Sequence, residues 1–300
     1  QAAHIHWLWL LFFWVSVIVY ALVLIFVVVA LTRKGPGEEG TPESRRAGQA
    51  VVGATIVTSA TVLGLLAASA VRGNAISSLR HPAALKIRIV GHQWWWEANY
   101  LSTEPSRQIT TANEIHIPVG RTMQIDLGSA DVIHSFWIPN LHGKTDLLPG
   151  KVTTTWLRAD RSGIYRGACA EFCGPQHAHM ALYVIADPAD EFDAWYNEQL
   201  KPATEPSDAK TIRGREVFTA GSCALCHTVR GTEASGKLGP DLTHIAARHT
   251  IAAGTLPLNH RELGRWITNN QSVKPGTYMP PIALSAEELD SVVSYLESLR

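Results

Sequence analysis

The feature that most constrains this sequence is an uncharged run of 28 residues, 5–32, which reads IHWLWLLFFWVSVIVYALVLIFVVVALT. About 20 apolar residues are enough for a helix to cross a bilayer. Trp7, Trp9 and Trp14 crowd the first half of the run, as expected near a membrane interface. The run therefore predicts a membrane helix. A cleaved signal peptide is the alternative, but the run is longer than a typical signal core and a second span follows it.

A second uncharged run covers residues 47–71 and is rich in Thr, Ser, Gly and Ala. It is less hydrophobic than the first, which is typical of a membrane helix that packs against protein as well as lipid. Taken alone, it also fits a buried helix of a soluble protein. Together the two runs predict a transmembrane hairpin over residues 1–84.

The polar segment 33–46 joins the two runs and carries four basic residues: Arg33, Lys34, Arg45 and Arg46. The positive-inside rule places such a loop in the cytoplasm. Arg72 opposes this orientation, but it is one basic residue against four. We therefore expect everything after Val71 to lie on the other side of the membrane.

Short runs of alternating apolar and polar residues occupy the chain from about residue 85 to 186. Four of them are Lys86–Val90, Glu114–Pro118, Thr122–Leu127 and Met180–Ile185. Gly, Pro, Asn and Asp separate these runs, a pattern typical of an antiparallel sandwich or barrel. A short amphipathic helix over 190–200 is expected to close this module, which we place at residues 85–200.

A Pro-containing stretch at 201–207 predicts a linker to a last module at residues 208–300. In this module the apolar period changes to that of helices. Residues 209–220 and 286–299 are predicted helices, the second with Ser285 as its N-cap and acidic residues in its first turn.

All four cysteines fall in two close pairs, one in each of the last two modules. The first pair lies in a loop that also holds His177 and Met180, and it consists of Cys169 and Cys173. Thiolate, imidazole and thioether ligands select copper or zinc over magnesium or calcium. A disulfide and a structural zinc site are the alternatives. His134, at a predicted strand end, is the best candidate for a second imidazole.

This part of the sequence resembles subunit II of the haem-copper cytochrome c oxidases over about residues 1–200. The motifs that carry the resemblance are Gly91–Trp96, Asp131–Ser135, Lys144–Gly150 and the loop Cys169–Met180. The family places a cupredoxin-like all-β domain behind a two-helix membrane hairpin. Its loop binds the binuclear copper centre called CuA.

The resemblance implies a ligand set for that centre. Cys169 and Cys173 would bridge two coppers, while His134 and His177 would each bind one. Met180 and the main-chain carbonyl of Glu171 would be the weak ligands. His179 stands where the family has an apolar residue, and we interpret it as a non-ligand.

The same resemblance gives roles to two further side chains. The carboxylate of Glu171 would bind a magnesium ion shared with subunit I, and Trp94 would pass electrons to the copper site. From the sequence alone, packing is the simpler interpretation of Trp94. The sequence also departs from the family, because residues 49–55 lack the acid that usually begins the second membrane helix and feeds protons to subunit I.

The second cysteine pair is Cys223-Ala-Leu-Cys226-His227, the attachment motif of c-type haem. A zinc-binding or redox Cys-x-x-Cys is the alternative. Residues 208–300 resemble an all-α class I cytochrome c, in which the Pro240 carbonyl orients His227 and Met279 is the sixth iron ligand. Met/His ligation suits electron transfer. Three residues, Gly214, Phe218 and Tyr295, are expected only to pack helices together.

The resemblance implies the electron-input subunit of a caa-type terminal oxidase in a bacterial inner membrane, with its copper and haem domains on the periplasmic face. Expected partners are subunit I, which would reduce dioxygen to water and pump protons, subunit III, other small subunits and membrane lipid. The expected donor is a soluble cytochrome c or a quinol-oxidising complex. Alternatives are a CuA-containing nitric oxide reductase, a nitrous oxide reductase and a membrane-tethered electron carrier.

The charges exclude a chain built to coat nucleic acid, because 26 basic and 26 acidic residues cancel. Residues 86–200 hold 9 basic and 13 acidic side chains, whereas residues 201–300 hold 11 and 10. A haem module tethered by a short linker would meet its acceptor at roughly millimolar effective concentration. We therefore expect transfer between the modules to depend only weakly on salt.

Overall fold

The computed structural model describes residues 2–32, 42–77 and 85–300. The chain divides into two compact units, residues 1–81 and 82–300. Most of the charged loop predicted to lie in the cytoplasm falls at residues 33–41, outside the described residues.

The first unit is a pair of long helices, α1 (Ala2–Thr32) and α2 (Pro42–Ser77). Both contain a stretch long and apolar enough to cross a membrane, Ala3–Thr32 and Arg45–Ala75. The guanidinium of Arg72 lies 4.2 Å above the ring of Trp7, so the end of α2 lies beside the start of α1. The predicted hairpin is confirmed. Because α2 begins at Pro42, Glu43 belongs to its first turn, but the stretch Arg45–Ala75 carries no acid.

The second unit begins with ten strands that form two sheets. Their bounds are β1 (Lys86–His92), β2 (Trp95–Leu101), β3 (Ile109–Ala112), β4 (Glu114–Pro118), β5 (Met123–Ser129), β6 (His134–Trp137), β7 (Thr145–Leu147), β8 (Thr153–Leu157), β9 (Gly163–Cys169) and β10 (Ala181–Asp187). One sheet has the order β3-β2-β1-β5-β8 and the other β4-β10-β9-β6-β7. Apolar side chains of both sheets fill the space between them, Ile87 and Ile89 of β1 among them. The β-sandwich prediction is confirmed.

The alternation of apolar and polar residues led us to expect wholly antiparallel pairing, and this expectation was wrong for two pairs of strands. The pairs β1–β5 and β10–β4 are parallel, because these strands meet across crossovers instead of hairpins. Alternation of apolar and polar residues reports that one face of a strand is buried and carries no information on the direction of its neighbour.

The last part of the unit is helical. Helix α3 (Ala189–Gln199) follows β10 and packs into the β-sandwich core through Phe192 and Tyr196. The helical part then contains α4 (Ala209–Ala220), α5 (Cys223–Cys226), α6 (His260–Val273) and α7 (Ala286–Ser298), with a two-stranded ribbon, β11 (Thr250–Ile251) and β12 (Leu256–Pro257). The helices predicted at 190–200, 209–220 and 286–299 are confirmed to within one residue at each end. Ser285 and Glu288 form a capping box at the start of α7.

Helices α4 and α7 cross closely, and Gly214 makes this possible. A Cβ atom at Gly214 would lie 2.0 Å from the Ser291 carbonyl oxygen, so any side chain would push the helices apart. The rings of Phe218 and Tyr295 meet edge to face at 6.0 Å beside this crossing. The predicted packing role of these three residues is confirmed.

The β-sandwich and the helical part are joined by polar contacts as well as by the chain. Glu114 of β4 is 2% exposed, and its carboxylate accepts hydrogen bonds from the main-chain amides of His249 and Thr250 and from the Thr250 hydroxyl at 2.9–3.0 Å. In the predicted linker, the amide of Ala203 donates to the Arg230 carbonyl at 2.8 Å. The linker residues therefore make defined contacts with the helical part.

Candidate metal centre and cofactor cavity

Five sulfur and imidazole side chains converge at one end of the β-sandwich. His134 begins β6, Cys169 ends β9, and the other three, Cys173, His177 and Met180, lie in the loop that leads to β10. Cys173 Sγ lies 3.8 Å from both Cys169 Sγ and Met180 Sδ, and 3.7 Å from His177 Nδ1. His134 Nδ1 lies 3.9 Å from Cys169 Sγ.

These distances suit shared metal ligands. First-row metal bonds of about 2.3 Å to thiolate and 2.0 Å to imidazole place two ligand atoms of one tetrahedral ion roughly 3.5 Å apart. The ligand atoms of His134, Cys169 and Cys173 all lie within 4.8 Å of one another, and these three residues are buried. A soft, buried set of this kind fits copper.

The two thiols are free, and their sulfur atoms are too far apart for a disulfide. The hydrogen bond with Cys173 lowers the pKa of the Cys169 thiol, and the His134 imidazole lowers it further. The same bond raises the pKa of Cys173. Without metal the pair therefore holds one thiolate readily and resists forming two, which a bridging cation would reverse.

Asp131 orients His134, a role that the sequence analysis did not assign. Its carboxylate lies 2.8 Å from His134 Nε2 and also accepts a hydrogen bond from the main-chain N–H of Gln93 at 2.7 Å. A carboxylate on the outer nitrogen fixes the tautomer of a metal-binding imidazole. Its place three residues before a candidate ligand is the signal that could have identified it.

Gly91 leaves room for the His134 ring. A Cβ atom there would lie 2.7 Å from Cδ2 of the imidazole. The glycine of the Gly91–Trp96 motif is thus explained by close approach of β1 to a candidate ligand.

Glu171 has its main chain and its side chain in different surroundings. Its carbonyl oxygen lies 3.2 Å from Cys169 Sγ, next to the ligand cluster. Its carboxylate is partly exposed and lies 3.6 Å from Lys144 Nζ. His179, interpreted as a non-ligand, has its Nδ1 2.7 Å from the Gln176 side chain.

Trp94 lies directly against the cluster. Its indole Nε1–H donates to the Cys173 carbonyl at 2.9 Å, and the residue is only 5% exposed. The ring of Tyr278, from the helical part, stacks on it with centroids 6.0 Å apart. The side chain therefore connects a candidate metal ligand to the other module.

The second cysteine pair surrounds a void instead of a cluster. Cys223, Cys226, His227 and Met279 all line one cavity of about 640 Å³. Its remaining lining is largely apolar and includes Leu242, Ile267 and Val292. A cavity of this size can enclose a large flat cofactor.

His227 is held ready to bind a metal. Its Nδ1 donates to the Pro240 carbonyl at 2.8 Å, because a carbonyl can only accept. Burial lowers the pKa of this imidazole, so that it is neutral near pH 7. The proton is thus on Nδ1, and Nε2 keeps a free lone pair for an iron atom.

Arg248 supplies a further test of what the cavity holds. Its Nε atom is buried at the cavity wall and has no hydrogen-bond partner among residues 85–300. Burial lowers the pKa of this guanidinium. Another nitrogen of the same guanidinium donates to the Asp241 carbonyl, so only Nε lacks an acceptor. Haem carries two carboxylates that can accept from a buried donor at the wall, so the cavity residues fit c-type haem.

The cavity is shared between the modules. His92, Gln93, Trp94 and Trp95 of the β-sandwich line it together with the residues of the helical part. The turn between β1 and β2 therefore touches both the sulfur cluster and the cavity.

Comparisons with known proteins agree with this division. The family described as "Cytochrome C oxidase subunit II, periplasmic domain" matches residues 97–186, and the one described as "Cytochrome c" matches residues 212–300. Cytochrome c oxidase subunit 2 of Alkalihalophilus pseudofirmus is 35% identical over 293 residues, covering 95% of this chain and 83% of that one.

Two further relatives cover less. The subunit 2 of Bacillus sp. (strain PS3) is 34% identical over 71% of this chain and 62% of its own length. The solved periplasmic domain of subunit II of cytochrome oxidase from Bradyrhizobium japonicum is 28% identical, with a TM-score of 0.37, over 40% of this chain and 95% of that one. On the extent of the first similarity, the chain belongs to the cytochrome c oxidase subunit 2 family of membrane-anchored oxidoreductase subunits, with a cytochrome c domain following the copper-type domain.

Proposed function

We propose that this chain is the electron-input subunit of a terminal oxidase, receiving electrons at its haem module and passing them to its copper module and then to subunit I. The observation that carries the proposal is the β1–β2 turn. Its Trp94 lines the cavity of one module and donates a hydrogen bond to a candidate ligand of the other. A bound haem and a bound copper pair would supply reversible one-electron chemistry.

In the haem module, the chain's own residues bind and orient the group. Cys223 and Cys226 would hold the haem covalently, while His227 Nε2 and Met279 Sδ would bind its iron. The Pro240 carbonyl holds the His227 ring in the tautomer that binds iron. The surrounding apolar wall excludes water, and with Met/His ligation this favours a high reduction potential.

In the copper module, Cys169, Cys173, His134 and His177 would hold two coppers, and Met180 and the Glu171 carbonyl would bind more weakly. Their separations, 3.2–3.9 Å, are already those of a closed ligand set. Little rearrangement is then needed when charge changes, which suits electron transfer.

The partly exposed Glu171 carboxylate is free to turn toward a magnesium ion at the contact with subunit I, its present neighbour being Lys144. We place the hairpin at residues 1–84, the copper domain at 85–200, the linker at 201–207 and the haem domain at 208–300. The basic loop would be cytoplasmic and both domains periplasmic. Subunit I would reduce dioxygen and pump protons. Subunit III and other small subunits would assemble with it. The electron donor would be a soluble cytochrome c or a quinol-oxidising complex.

Metal analysis and visible and near-infrared spectra of the purified full chain test this proposal. We expect two coppers and one haem c per chain, and loss of the copper signal alone in Cys169→Ser. A chain that binds zinc, or that has no haem, would contradict it. Co-purification with a many-span haem protein separates an oxidase subunit from a tethered carrier, and oxygen against nitric oxide consumption separates the two enzyme classes.

A further inference from the structure

The segment 274–278, which precedes Met279 in the haem module, is fixed to the copper module by three side chains. Lys274 Nζ donates to the Trp94 carbonyl at 2.7 Å and to the Ala252 carbonyl at 3.1 Å. Gln176 lies in the copper loop, the segment 170–180 between β9 and β10, and donates to the Pro275 carbonyl at 2.7 Å. The Tyr278 hydroxyl donates to Gln93 Oε1 at 2.9 Å.

The contacts of Tyr278 lead to one atom of the copper loop. Gln93 Nε2 and Trp94 Nε1 both donate to the Cys173 carbonyl oxygen, at 2.8 and 2.9 Å. Both residues also touch Tyr278, Gln93 through the hydroxyl and Trp94 through the stacked ring. Tyr278 is therefore linked twice to Cys173, and it is covalently bonded to Met279.

Lys274 is 2% exposed, so its ammonium is removed from water and held by two carbonyl oxygens. Lysine is almost never fully buried unless it is paired or has a specific task. As an ammonium or as a neutral amine it can donate to both carbonyls, so its hold on Trp94 does not require a charge.

We propose that Tyr278 and Lys274 are positioning residues for electron transfer: Lys274 fixes the Met279 loop against Trp94, and the Tyr278 ring, stacked on Trp94, completes a route from Met279 to Cys173. This inference rests on the proposed function. The step moves one electron and no atom; the occupant of the haem cavity is oxidised by one electron and the occupant of the thiolate site is reduced by one.

The test measures haem-to-copper transfer after flash reduction of the haem in the full, metal-loaded chain. Tyr278→Leu removes the ring and should slow transfer about 10- to 100-fold, the order expected of a small displacement of reacting groups. Tyr278→Phe keeps the stacked ring and should transfer at nearly the unmutated rate. Both absorption spectra should stay intact in each variant.

Hydrogen exchange of the same full chain gives a second readout that needs no turnover. Lys274→Met should raise exchange in peptides covering 92–96 and 173–178 and slow transfer in parallel. Lys210→Met, at an exposed lysine paired with Asp290 on the haem module, is the matched control and should change neither.

An unchanged transfer rate in Tyr278→Leu, with both spectra intact, would overturn the inference and leave the proposed relay standing. If that variant loses its haem, Lys274→Met decides, and an unchanged rate there overturns it equally. Absence of copper or haem from the unmutated chain would instead contradict the proposed function.

Discussion

The two cysteine pairs of this chain lie in sites of opposite construction, one a cluster of side chains in contact and the other a cavity. Around Cys169 and Cys173 the side chains already touch, with sulfur and nitrogen atoms 3.7–3.9 Å apart. Around Cys223 and Cys226 the chain leaves a void of about 640 Å³. A small ion is bound by ligands that converge, whereas a large flat group is bound by the space that an apolar wall surrounds.

The two sites should therefore respond differently to the loss of one side chain. Removing one ligand from the converged cluster leaves the other ligands in place. Under the proposed function the cavity would depend on a few fixed points, since His227, Arg248 and Met279, which all line it, would each meet a different part of one rigid group.

Met279→Leu is expected to have the largest effect. The substitution removes the sulfur ligand of the haem iron, and no other Met lines the cavity to replace it. The haem spectrum should therefore lose the form typical of Met/His ligation. Near-infrared copper absorption should be unaffected. If both signals disappear together, the two sites are not separate and the contrast fails.

Asp131→Asn tests the converged cluster. An amide cannot fix the His134 tautomer as a carboxylate does, and copper affinity should fall about 10- to 100-fold. Competition with a copper chelator measures this. Asp126→Asn is the matched control, because its carboxylate accepts hydrogen bonds only from Gln124 and Thr154 among the contacts described for residues 85–300. Equal affinity in the two variants would remove Asp131 from the site.

Stability against pH tests the contact between the modules. Burial lowers the pKa of Lys274 to about 7, below the value of about 10.4 expected in the unfolded chain. Between these values the unfolded chain binds the extra proton, so folding free energy should become more favourable as pH rises from 7 to 10, by up to roughly 4 kcal/mol. Below pH 7 this contribution should no longer change.

Denaturant midpoints of the full chain and of Lys274→Met, compared at each pH, isolate this contribution because the other titrating groups cancel. The unmutated chain should gain stability relative to the variant as pH rises. A constant difference would show that Lys274 titrates normally and is not buried in solution.

Salt should have the smallest effect. The contacts between the modules include those of the buried Glu114 and Lys274, which ions in solution screen little, so haem-to-copper transfer should change by less than about twofold between 50 and 500 mM salt. Reduction of the haem by a soluble cytochrome is the comparison, and it should depend on salt much more. A steep fall of the internal rate would mean that the haem module docks by diffusion.

Features with local causes could be predicted from the sequence. Helix α4 begins after Asp208, whose carboxylate accepts from the Lys210 and Thr211 amides, and such caps are visible as residue types. The ligand cluster was also predictable in part, because Cys169, Cys173, His177 and Met180 lie within twelve residues of one another.

Contacts between distant segments could not be predicted. Lys274 and Trp94 are 180 residues apart, and neither carries a local pattern that names the other. The parallel pairs β1–β5 and β10–β4 could not be predicted for the same reason, since the relative direction of two paired strands depends on the crossover that connects them. Asp131 lies within a sequence motif, but only the distance between its carboxylate and His134 Nε2 shows that it orients that imidazole.

The buried carboxylate of Glu114 has a consequence for how such fusions can be engineered. Among the described residues 85–300, the donors to this carboxylate come from two residues of the haem module, His249 and Thr250. A foreign cytochrome grafted after residue 207 would leave this acid without donors in a dry contact, a cost of several kcal/mol. Exchange of electron-transfer modules between such chains therefore requires Glu114 to be transplanted or neutralised together with them.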